Sequence, residues 1–156
     1  MASYSIKRDH IVDTTVEELW AFLVNPNNLQ KLTPKKFGGK RLDKNATDIM
    51  SEGSIATYRI KVFPFIHVKW KARFFNIILN ESFIDEQVSG PFKSWTHKHS
   101  ILVHQGNVIM RDEITFEPPF PWFGDYIYVT FIIGRLHKLF AYRDDYFDAH
   151  FKQSEL

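Results

Sequence analysis

The sequence predicts an α+β fold, in which one antiparallel sheet carries its helices on a single side. Three observations lead there. From about residue 41 to 118 the chain is a series of short runs rich in Ile, Val, Phe, Tyr and Thr, punctuated by EGS, FPF, LNE, SGP and HQGN. A helix start signal follows the first strand-like run, and the last segment repeats its apolar residues at helical spacing. A half-apolar sheet needs a cover, and helices gathered on one face supply it.

The elements follow in order. Residues 4 to 12 alternate loosely and read as a first strand. In DTTVEELWAFLVNP, Thr14 followed three residues later by Glu17 fits a capping box, with Val16, Leu19, Trp20 and Leu23 as the apolar stripe and Pro26 as the stop. Residues 27 to 32 predict a second short helix before the basic, glycine-bearing run KLTPKKFGGKR. About six antiparallel strands come next. Among them Val68, Trp70, Ala72 and Phe74 alternate with His67, Lys69, Lys71 and Arg73, the pattern of a half-buried strand. A long helix from about Gly124 to Lys152 aligns Ile132, Leu136, Leu139, Phe140, Phe147 and Phe151 on one face, although Gly134 weakens it locally. Arg143 falls in the middle of that stripe, whereas Asp144, Asp145, Asp148 and Lys152 project mostly elsewhere.

Composition bounds the function. A chain of 156 residues without repeats or linkers suits one domain over residues 1–156. Aromatic residues make up 16%, with 15 Phe, so the chain either packs a bulky core or lines an apolar cavity. A formal charge of +2 does not mark a polyanion binder, and no aromatic stacking pattern accompanies the basic run, so nucleic acid is not an expected partner. Without cysteine, disulfides, thiolate metal sites and a cysteine nucleophile are excluded. The N-terminus lacks a signal-peptide core and no apolar run approaches the ~18 residues of a membrane span, so a cytoplasmic protein is the default.

GPFKSWTHKH, then IMRDEITFEPP, then LFAYRDDYFDAHF resembles the SRPBCC superfamily, the START-like and pollen-allergen-like helix-grip proteins. More narrowly the chain is similar to small bacterial members with a Gly-Pro-aromatic, Trp-x-His-x-His, Asp-x-hydrophobic and Phe-x-Tyr-Arg pattern. The resemblance implies a curved antiparallel sheet of about seven strands gripping the C-terminal helix, with a cavity between them for an apolar small molecule. Superfamily members bind or carry lipids, sterols and polyketide-like compounds, and some are cyclases, aromatases or hydrolases. Fold alone does not choose among these.

The residues narrow the choice. In the strand after Gly90, alternation puts Trp95, His97, His99, Ile101 and Val103 on one face and Thr96, Lys98, Ser100 and Leu102 on the other. With Trp95 inward, both histidines face the interior. Asp112 shares a face with Val108, Met110, Ile114 and Phe116 on the next strand, Phe83, Asp85 and Gln87 share one on the preceding strand, and Arg143 joins from the helix. Ionisable groups converging on an aromatic interior must pair or bind something. One account pairs Asp112 or Asp85 with Arg143 as a staple of helix to sheet, with the histidines hydrogen-bonded inside. The other makes them polar anchors of a pocket walled by Tyr58, Trp70, Trp95 and Phe140, with Ile60 beside Tyr58.

Chemistry is less strongly signalled. His97, His99 and Asp112 have spacings that reach one metal ion, but Arg143 places a positive charge nearby, so no metal or other cofactor is expected. No nucleophile elbow, phosphate loop or zinc-protease helix is present. The expectation is binding or transport of an apolar or amphipathic small molecule. Its first alternative is a cyclase or dehydratase using His97 or His99 with Asp112 as acid and base. The second is a lipid-contacting protein that docks peripherally through Trp122, in the proline-stiffened segment 116–126 with Phe120 and Phe123, and through Lys31, Lys35, Lys36, Lys40 and Arg41. Each feature has a plain counterpart, a buried corner for the aromatic segment and a solvated loop for the basic one.

Overall fold

The computed structural model describes residues 2–43, 49–119 and 125–151. Seven strands form one antiparallel sheet: β1 (Tyr4–Val12), β2 (Gly38–Arg41), β3 (Ile55–Phe63), β4 (Ile66–Ile78), β5 (Ser82–Ser89), β6 (Ser94–His104) and β7 (Asn107–Glu117), in the order β1-β7-β6-β5-β4-β3-β2. The helices are α1 (Val16–Leu23), α2 (Asn28–Lys31) and the long α3 (Asp125–Phe151), with a 3-10 turn at Lys35–Phe37. Trp122, Phe120, Phe123 and Lys152 lie outside the described residues.

The first helix begins one residue later than the sequence predicts. Thr14 is spent on the turn out of β1, its N–H bonding Val12 O at 2.9 Å, so Thr15 becomes the cap. Its hydroxyl accepts from the Glu18 N–H at 3.2 Å while the Glu18 carboxylate takes the Thr15 N–H, a capping box shifted by one position.

The basic run is the second departure. Part of it is not loop but the short edge strand β2, whose Gly38 and Gly39 hold φ of 84° and 90°. A Cβ on Gly38 would meet Arg59 O at 2.9 Å, so this close antiparallel approach requires glycine. Lys31, Lys35, Lys36 and Lys40 are exposed, but Arg41 is tied to Asp43 at 3.1 Å and to Asn27 at 2.9 Å.

The sheet curls because its strands are irregular where they must bend. In β4 the register shifts between Phe75 and Ile78 around Asn76, whose φ is 52°. The Glu52 carboxylate accepts the N–H groups of Asn76 and Ile77 at 2.9 and 3.1 Å, satisfying backbone donors at the bend. On the concave side α3 buries Val129, Ile132, Leu136, Phe140, Arg143 and Phe147. Two apolar clusters result: one gathers Leu19, Phe22, Phe74, Phe83 and Phe147, the other Trp95, Ile114, Phe116, Ile132 and Phe140, and Trp70 packs against both. Asp144 and Asp148 do not simply face solvent: Asp144 pairs with Arg8, and His10 lies 3.4 Å from Asp144 and 3.1 Å from Asp148, joining α3 to β1. Val103, expected inward, is 63% exposed because β6 there has run past the helices that cover its neighbours.

Candidate functional site

Register assembles the site. Asp85 in β5 lies opposite His97 in β6, and His99 lies opposite Asp112 in β7, so two carboxylates flank two imidazoles on the concave face. The short bonds run diagonally. His97 Nε2 is 2.7 Å from Asp112 Oδ1, and His99 Nε2 is 2.7 Å from Asp85 Oδ2. The directly opposed contacts are longer, 3.7 Å from His97 Nδ1 to Asp85 Oδ2 and 3.2 Å from His99 Nδ1 to Asp112 Oδ1, the latter off the line of a hydrogen bond. The four side chains close a ring of alternating acid and base. The imidazoles overlap with centroids 3.7 Å apart, and His99 stacks on Phe83 at 4.4 Å.

Arg143 reaches this ring from α3. Its Nε donates to Leu32 O at 3.2 Å and its Nη1 is 3.9 Å from Asp112 Oδ1. Thus the guanidinium caps the carbonyl end of α2, and the carboxylates pair chiefly with the histidines rather than with arginine.

Burial and charge fix the protonation pattern. Desolvation alone would raise both carboxylates, but the imidazole hydrogen bonds and nearby positive charges outweigh it and hold Asp85 and Asp112 below the ordinary aspartate range. Burial, reinforced by the charge of His99, pushes His97 down despite its bond to Asp112. Burial would also lower His99, yet its contacts to Asp112 and Asp85 prevail and its pKa rises. Arg143 is lowered by burial, opposed by Asp112 and Asp85, and stays charged. The guanidinium and the imidazoles oppose the charge of the two carboxylates, as buried charges require. A carboxylate only accepts, so His97 carries a proton on Nε2 toward Asp112, and in its neutral form Nδ1 is bare.

Above the ring lies a cavity of about 210 Å³, walled mainly by apolar side chains. Tyr58 and Trp70 face each other across β3 and β4, and Trp95 stands edge-on to Trp70 at 5.1 Å. These three line the cavity together with His97, His99, Asp112 and Arg143, and so does Ile60. The Tyr58 hydroxyl donates to Pro26 O at 3.2 Å, so its polar end is already engaged. Phe140 does not line the wall. It is 1% exposed, packs with Ile114 and Phe116, and has the Arg8 guanidinium 6.0 Å from its ring, so it serves the core toward β1 while Leu136 and Leu139 face the cavity.

Asp85 is the member that strand alternation placed inward only as an alternative partner for Arg143. Its pairing with His99 depends on the β5–β6 register, which a single strand does not reveal. Arg135, which also lines the cavity, carried no earlier signal beyond its position one turn before Leu139.

No protein-family model matches the chain, and no curated protein does. Solved structures do. The solution structure of KanY protein aligns with a TM-score of 0.73 at 12% identity, over 98% of this chain and 100% of that one. Norcoclaurine synthase from Thalictrum flavum, solved with dopamine and hydroxybenzaldehyde, aligns at 0.63 and 12% identity over 99% and 90%. The crystal structure of Ara h 8.0201 aligns at 0.65 and 10% over 95% and 99%. Identities this low establish architecture, and the architecture is plain: a curled seven-stranded antiparallel sheet closed on a long C-terminal helix, the Bet v1-like helix-grip fold.

Proposed function

We propose that the protein binds a compact, largely apolar small molecule between sheet and α3, with the His97, His99, Asp85, Asp112 and Arg143 cluster as its polar floor. The observation that carries this is a cavity of about 210 Å³ bounded by tryptophan, phenylalanine and leucine on its walls and by a hydrogen-bonded polar ring at one side. Ligand sites of this composition orient their occupant with few polar groups, and drug-sized ones measure about 300–1,000 Å³. A smaller volume favours a ligand of one or two rings, or a short chain, over a sterol. The motifs of small bacterial SRPBCC proteins and a cysteine-free chain agree with a cytoplasmic carrier or sensor of such a compound.

Native mass spectrometry of freshly purified protein tests this, with solvent extraction of any adduct. A discrete bound species is expected, and Ala72→Leu, which places bulk on the cavity wall, should abolish it while leaving the thermal midpoint unchanged or higher. An adduct retained in that variant would refute the cavity as the binding place.

Acid and base chemistry is supported by one further observation: two imidazoles, each bonded to a carboxylate, stand side by side on the cavity wall. Such a pair suits proton transfer at an enolisable carbonyl compound. Protein-dependent deuterium exchange into an aryl ketone, lost in His97→Gln, is its signature; exchange equal to buffer counts against it.

A further inference from the structure

We propose that Asp85, His97 and His99 form a binding site for a divalent first-row transition metal ion, zinc(II) being the ion that suits it best. Their ligand atoms all lie within 4.8 Å of one another. Asp85 Oδ2 is 2.7 Å from His99 Nε2 and 3.7 Å from His97 Nδ1. Donors bound at about 2.1 Å to one ion stand roughly 3.0–3.4 Å apart for octahedral or tetrahedral angles. The two separations from Asp85 bracket that range, and the third pair lies within 4.8 Å, so side-chain rotations bring the three atoms toward a common centre.

The second observation concerns the opposite ring nitrogens. His97 Nε2 and His99 Nδ1 both aim at Asp112 Oδ1, at 2.7 and 3.2 Å. A metal-binding histidine almost always gives its other N–H to a carboxylate or carbonyl, which fixes the tautomer and turns the free nitrogen toward the ion. Here the Asp112 carboxylate performs that task for His97 and lies 3.2 Å from the corresponding nitrogen of His99. His97 Nδ1 is thereby left without a proton on the side where Asp85 stands.

Arg143 does not prevent this. Among the described residues the carboxylate within 4 Å of its guanidinium is Asp112, at 3.9 Å, so a negative group beside the arginine offsets its charge. Two nitrogens and one carboxylate oxygen, with no thiolate, match zinc and its neighbours better than calcium or magnesium. Three protein ligands leave a coordination direction toward the cavity that all three residues line, the arrangement of open zinc sites.

Charge then selects what completes the coordination. A hydrogen lies between His99 Nε2 and Asp85 Oδ2; the ion displaces it to solvent as a proton and brings two charges where one left. The surplus positive charge in an apolar site calls for an anionic fourth ligand: hydroxide, or the carboxylate, phenolate or enolate of a bound molecule. The metal site rests on the cluster geometry alone, so an organic adduct without metal uptake, and metal uptake without an adduct, each refute one reading and leave the other.

The test uses chelator-treated, full-length protein titrated with cobalt(II) as a spectroscopic probe and then with zinc(II). One equivalent of cobalt should give visible ligand-field bands that zinc bleaches. Asp85→Asn, which retains an acceptor for His99, should lose the bands, whereas His67→Gln and His104→Gln at exposed positions should keep them. In parallel, ring-nitrogen NMR of the unsubstituted protein should show stoichiometric zinc shifting His97 and His99, which decides the matter even if a variant fails to fold. No bands with cobalt up to about 1 mM, roughly a thousandfold above a micromolar Kd, bands indifferent to Asp85→Asn, or zinc shifts confined to His67 and His104 would each overturn the proposal.

Discussion

Removing the Asp112 carboxylate leaves the buried His97 Nε2–H without its acceptor and takes from the buried Arg143 one of its counter-charges. Breaking a buried charge network from one side costs about 3–5 kcal/mol, so Asp112→Ala should lower urea stability by that amount, whereas substitution at half-buried Glu113 should change little. A sequential loss below about 1 kcal/mol would show that the ring is not a structural staple. The pH dependence has a definite sign. Asp112 and Asp85 have folded-state pKa values below the unfolded aspartate value of about 3.9, so their contribution is fully present above that pH and is lost as pH falls below it toward the folded values. In metal-free protein, acid unfolding should therefore steepen below about pH 4, and Asp112→Asn should flatten that limb in a denaturant titration across pH. Strand parity brought His97, His99 and Asp112 to one interior, and helical spacing brought Arg143. Which of them bond was not legible, because alternation gives the face and register gives the partner.

At the scale of elements, apolar periodicity located the strands and helices well, and the departures came where polar side chains compete for backbone groups. Thr14 and Thr15 offer the same hydroxyl, and only the turn closing β1 decides which of them caps α1. The run holding β2 has little apolar content, so nothing in its composition announces a strand; its pairing with β3 depends on two glycines at positive φ. The loop from β5 to β6 shows a similar local device. Gln87 bonds both backbone groups of Phe92, donating to its carbonyl at 2.7 Å and accepting its N–H at 3.3 Å, and a Cβ on Gly90 would stand 2.3 Å from Gln87 Oε1. Gly90→Ala should displace that side chain and forfeit two hydrogen bonds, a loss of about 1–3 kcal/mol in equilibrium unfolding. Gln87→Ala should match it, and the double variant should cost no more than either alone.

For the molecule as a whole, the layered architecture was legible because a half-apolar sheet and an amphipathic helix must meet. The cavity was not: its volume is set by how side chains from α1, α2, β3 to β7 and α3 converge, and Phe140 shows how one residue of the predicted wall can turn into the core instead. Strand order adds a consequence in time. β2 to β7 each pair with a neighbour in sequence, but β1 pairs with β7, Tyr4 against Phe116 and Val12 against Val108. During synthesis at about 5–20 residues per second, the first strand made must wait roughly 5–20 s for its partner to emerge. Lys7, Arg8, Asp9 and His10 suit that wait, since charged side chains discourage an unpaired edge from joining a stranger. Ribosome-bound chains stopped before residue 107 should show β1 amides exchanging as in unfolded peptide while β4 and β5 amides are already slowed. Of the seven strands, β1 is thus the first to be born and the last to find its place.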